Sequence, residues 1–92
     1  MYLFSCNATA KQAMADVAKG ETMPFIAYVD FADLFGAEYL CKLYLMRAGF
    51  VNVEIEKRKH LPAETVAEMK AKDTDIQQAL KHGYHLRMFD RH

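Results

Sequence analysis

Phe25-Ile26-Ala27-Tyr28-Val29, followed by Asp33-Leu34-Phe35-Gly36-Ala37-Glu38-Tyr39-Leu40-Cys41-Lys42-Leu43-Tyr44-Leu45-Met46-Arg47-Ala48-Gly49, is the stretch whose reading decides the fold. Five apolar residues in a row, rich in β-branched and aromatic side chains, describe a strand covered on both faces and hence central in a sheet. Asp30 or Asp33 is placed to cap a long helix that runs to Ala48, and Gly49 to stop it. At 100° per residue Phe35, Tyr39, Leu43 and Met46 fall on one arc, and Leu40, Cys41, Tyr44 and Ala48 on another. One sheet covers one arc. The other must meet a second helix, a symmetry mate or a partner.

Downstream, Val51, Val53 and Ile55 alternate with Asn52, Glu54 and Glu56, the pattern of a half-buried strand, which runs into Lys57-Arg58-Lys59-His60. Pro62 suits the first position of a helix. Asp73 interrupts the stripe joining Val66 and Met69 to Ile76 and Leu80, and Thr74-Asp75-Ile76-Gln77 reads as a capping box, so two short helices are expected, ending at Gly83. Tyr84 to Phe89 alternates as a last strand. Upstream, Tyr2 to Cys6 reads as a strand, and Thr9-Ala10-Lys11-Gln12 as a capping box opening a helix to Lys19, with Gly20 beyond its end.

The expected order is βαβαβαβ. Two topologies fit: a ferredoxin-like or related plait, or a small open α/β sheet covered on both faces. The amphipathic third and fourth strands favour the plait, an α+β fold with a four-stranded, mainly antiparallel sheet and helices packed on one face. At 92 residues, with no linker, repeat or low-complexity tract, the chain reads as a single domain from 1 to 92.

The composition is 52% hydrophobic, too rich in apolar matter for a disordered chain. Twelve basic residues balance twelve acidic ones, so no global field draws the chain to nucleic acid or an anionic membrane. The N-terminus lacks a basic n-region and an apolar h-region, and apolar runs as short as Phe25 to Val29 or Leu43 to Met46 cannot span a membrane. Cys6 and Cys41 have neither CxxC nor Cys/His spacing, which suits reduced thiols in a cytoplasmic protein, although a bridge between them stays open.

The motifs of chemistry are weak. His82-x-x-His85 straddles Gly83, where a helix ends and a strand begins, so the plain reading is a dipole-compensating His82 and a solvated His85. Cys41 sits mid-helix without a second cysteine, and Cys6 has no base beside it in sequence. The four glycines stand singly, so no phosphate loop forms. Glu54 and Glu56 read as solvating charges on a strand face. No cofactor and no enzymatic activity are expected.

The best local signal is Lys57-Arg58-Lys59-His60. If the third and fourth strands are neighbours, Arg87, Arg91 and His92 join it in one positive patch able to hold a nucleic-acid backbone or an acidic protein surface. The plainer alternative is a solvated strand end. Tyr84 and Phe89 offer aromatic faces, without an RNP-type consensus.

The double-faced helix, with Tyr39 and Tyr44 as anchors, and the basic corner together indicate a protein-binding module. In size, balanced charge and want of an active-site motif, the chain resembles the small phage-encoded inhibitors, among them the anti-CRISPR proteins that occlude a host ribonucleoprotein effector. That resemblance implies stoichiometric inhibition in the host cytoplasm: the basic corner contests a nucleic-acid path while the helix docks on a protein subunit. The rival reading is a ferredoxin-like homodimer that binds a ligand or RNA and uses the second apolar arc for self-association.

Overall fold

A computed structural model describes residues 1–89. The chain runs β1 (Tyr2–Ala10), β2 (Thr22–Val29), α1 (Leu34–Arg47), β3 (Phe50–His60), α2 (Ala63–Lys70), α3 (Thr74–His82), β4 (Tyr84–Met88). The strands form one open sheet in the order β3-β1-β2-β4, antiparallel at every pairing. This is the expected α+β class, a plait of the ferredoxin-like or a related kind. The order of elements is ββαβααβ, not βαβαβαβ.

The difference lies at the first helix, which does not form. Ala8 and Ala10 continue the inward alternation of Phe4 and Cys6, and all four are buried. Thr9 is not a cap: its hydroxyl hydrogen-bonds Thr22 Oγ1 across the β1–β2 pair at 3.0 Å. A marginal stripe of Ala10, Ala13, Met14 and Val17 yields to the backbone ladder of a long hairpin. Residues 11–21 form the connection, pinched by reciprocal Met14–Val17 backbone bonds and fastened to the helix end by Lys11 N–H donating to the Gly49 carbonyl at 2.9 Å.

β2 is central and covered on both faces, as its apolar run predicts. Phe25, Ala27 and Val29 join Phe4, Cys6, Ala37, Cys41, Leu45 and Phe50 in the larger core beneath α1. Tyr28 and Ile26 point the other way, against Leu61, Val66, Ile76 and Ala79. The expected cover of one face is therefore met by α1 alone. The α2–α3 pair packs on the opposite face, because β2 and the first residues of β1 carry apolar side chains on both sides.

The helix caps follow the sequence closely. Asp33 accepts from Gly36 N at 2.8 Å at the start of α1, and Gly49 takes φ +98° beyond its end. The break before α3 occurs as expected, but Asp73 is the cap, accepting from Asp75 N and Ile76 N, while the Gln77 side chain reaches back to the Lys70 carbonyl. Pro62 stands one residue outside α2.

β3 is an edge strand and carries two bulges. Asn52 and Val53 oppose the single residue Ala8, with Asn52 at φ +52°, a region asparagine tolerates. Glu56 is a second extra residue, between the pairs Cys6–Ile55 and Ser5–Lys57.

Candidate binding surfaces

α1 buries Ala37, Cys41 and Leu45 and packs Leu34 and Leu40 at their sides. Opposite this stripe lie Phe35, Tyr39 and Met46, which are 80, 67 and 58% exposed. Phe31, 44% exposed, extends the row: its ring lies so close over Gly36 that a Cβ there would fall 2.4 Å from Phe31 Cε2. The arc read from sequence as Phe35, Tyr39, Leu43 and Met46 is thus the outward one, with Leu43 half-buried at its margin. Scattered exposed apolar residues are ordinary, but three large ones in a row along one helix, with Phe31 just ahead of it, are a patch.

Tyr44 is not on that patch. It stacks on Tyr84 of β4 with ring centroids 3.7 Å apart and planes 9° from parallel, so its ring closes the edge of the core. The sequence assigned it to a binding face. The phase of the helix instead puts it beside the sheet, where an aromatic partner waits.

The basic run does not make one patch. The Glu56 bulge shifts the phase of β3, so Arg58 pairs with Phe4 on the α1 face and forms an ion pair with Glu38. The adjacent carboxylate raises the Arg58 pKa above its ordinary value. His60 is on the same face, its ring 4.9 Å from Tyr2. Lys57 and Lys59 oppose Ser5 and Leu3 and so project from the other face.

Arg87 does not join them. β3 and β4 are opposite edges of the sheet, with β1 and β2 between. The condition for a combined patch is not met, because each new strand was added to the edge the hairpin left free. Arg91 and His92 lie outside the described residues.

Arg87 belongs to a cluster that the sequence does not disclose. Asp75, in the first turn of α3, pairs with Arg87 at 2.9 Å and with His85 Nε2 at 3.0 Å, and accepts from the Tyr28 hydroxyl at 3.3 Å. Arg87 also stands 5.1 Å over the Phe89 ring. His85 is therefore a half-buried partner of Asp75, not a solvated strand residue. Tyr28 is pushed up from the ordinary tyrosine range by burial first and then by the Asp75 charge. An open cleft of about 560 Å³ beside it is lined by Tyr28, Lys72, Asp75 and Arg87. The signal in sequence was only the spacing of His85 and Arg87 on one strand face; the acid comes from a separate helix.

Cys6 and Cys41 are free and buried, facing each other across the β1–α1 contact. Cys41 is pushed up by the hydrogen bond it shares with Cys6 and by burial, the reverse of what a nucleophilic thiol needs. Among the described residues no group of three or more His, Cys, Asp and Glu side chains converges as a metal site would, and no helix is long and apolar enough to cross a membrane. Comparison with protein-family models, curated proteins and solved structures finds no match to this chain. The class the fold and surfaces define is a small α+β plait with an exposed apolar helix face.

Proposed function

We propose that the chain is a non-enzymatic protein-binding module that docks through the outer face of α1. One observation carries this reading: Phe35, Tyr39 and Met46 stand exposed in a row on a helix whose other side is fully occupied by the core, and Phe31, just before the helix, extends that row. Aromatic and methionine side chains held on a rigid helix lose little entropy on binding and supply most of the contact energy in such interfaces. Arg47 at the flank of the row and Lys42 within it are exposed and give the face positive charge.

Following the resemblance stated above, the partner class is a host CRISPR ribonucleoprotein effector, with the chain as a stoichiometric inhibitor. Lys57 and Lys59, exposed on the free edge strand, are the groups available to a nucleic-acid backbone. The test is binding of the purified chain to purified effectors, with phage interference measured when the chain is expressed. Absence of binding together with unchanged interference removes the effector reading. Unchanged binding when Phe35 and Tyr39 are both replaced by Asp removes the α1 face as the site.

A further inference from the structure

The outer face of α1 is complementary to itself when turned end for end. Its row begins beside an acidic residue, Asp33, and ends beside a basic one, Arg47. The Asp33 carboxylate caps the helix and lies exposed on the Gly36 flank, Oδ2 being 3.3 Å from where a Cβ on Gly36 would stand. On the helical projection Gly36 and Arg47 lie on the same flank of the row, about 20° apart, while Lys42 lies within the row, between Tyr39 and Met46 along the axis. In a two-fold antiparallel pairing the same flanks of both helices lie on the same side of the interface, so the acidic end of one copy meets the basic end of the other.

We infer that, in the free protein, this face pairs with the same face of a second copy, the two α1 helices antiparallel and crossing midway between Leu40 and Cys41. With both fourteen-residue helices centred, Phe35 opposes Met46 of the second copy, and Tyr39 opposes Lys42 of the second copy. Both are favourable pairs, a sulfur against an aromatic ring and an ammonium against a phenol ring. Asp33, at the start of the row, then lies towards Arg47 of the second copy. The helices are about 21 Å long, enough for a reversible contact rather than an obligate one.

The sheet edges offer no comparable route. β3 is bulged twice and bears Lys57 and Lys59, the devices that keep edge strands from pairing, and β4 is only five residues long. The inference rests on the reading of α1 as a protein-binding face, and it adds that a foreign partner must compete with self-association.

Sedimentation velocity over a concentration series tests it. The wild-type chain should shift from its monomer mass of 10.6 kDa to twice that value as concentration rises. Tyr39→Lys sets a second ammonium against Lys42 of the second copy, and the repulsion should hold the chain monomeric throughout. Adding Lys42→Glu should restore the dimer, since the antiparallel register sets position 39 of one copy opposite position 42 of the other. Both side chains are exposed, and circular dichroism confirms that each variant is folded. A wild type that stays monomeric, or a dimer indifferent to Tyr39→Lys, overturns the inference. If the wild type is monomeric and Tyr39→Lys still abolishes effector binding, the dimer falls and the protein-binding reading stands. If neither mass nor binding responds, both fall.

Discussion

Replacing Asp75 by Ala should loosen α3 from the sheet, and the size of the effect can be built from its contacts. The carboxylate lies in the first turn of α3, where a negative charge contributes roughly 0.3–1 kcal/mol through the helix dipole. Its bond to Arg87 involves a side chain 54% exposed, so solvent screening limits that pair to less than about 1 kcal/mol. The bond from the buried Tyr28 hydroxyl contributes about 1 kcal/mol, and its loss leaves that hydroxyl facing the cleft, where water can replace the acid. With the half-buried His85 contact, the total is about 2–3 kcal/mol. Urea unfolding should show the midpoint falling with an unchanged slope, and the thermal midpoint should drop by roughly 8–16 °C for a loss of about 2 kcal/mol. A loss below about 0.5 kcal/mol would refute the assignment of Asp75 as the clasp of α3, since that is what an ordinary surface substitution costs.

Tyr28 gives a pH signature. Its folded-state pKa is raised, so above the ordinary tyrosine value of 10.0 the unfolded chain releases a proton that the folded chain retains. Stability should therefore be intact below that value and fall as pH rises beyond it, and Tyr28→Phe should remove this component of the decline, measured by urea midpoints across the alkaline range. Leu45→Ala, at a fully buried position under α1, should cost about 3–5 kcal/mol by the same assay. Gly36→Ala trades a flexible helical residue for a better helix former, about 0.5–1 kcal/mol, against displacement of an exposed ring. Stability should change by less than about 1 kcal/mol while Phe31 leaves the apolar row, an effect visible in its ring resonances. Replacing Lys57 and Lys59 by Glu should leave stability within about 0.5 kcal/mol and weaken effector binding, read by titration calorimetry; unchanged affinity would reduce these lysines to solvated edge charges.

The features legible in the residues alone were local and periodic. The uninterrupted run Phe25 to Val29 identified the central strand, Asp30 or Asp33 at one end and Gly49 at the other bounded α1, with the structure choosing Asp33, and the interruption at Asp73 separated α2 from α3. Each rests on side-chain spacing or a backbone group that a neighbouring residue must satisfy. The double arc of α1 also belonged to the sequence, as did the conclusion that one arc lacks a sheet to cover it.

The rest came from tertiary packing. Thr9 to Lys19 satisfied the signals of a helix start, yet β2 offered Thr9, Ala8 and Ala10 a cross-strand ladder that outweighed a weak helical stripe. The bulge at Glu56 is invisible in a pattern of alternating residues, and by adding one residue it sends Arg58 to α1 and Lys57 and Lys59 to the opposite face. Strand order parted Arg87 from the basic run and delivered it to Asp75. Periodicity fixes which side chains share a face within one element, whereas the meeting of faces from separate elements depends on long-range pairing, which no local pattern encodes.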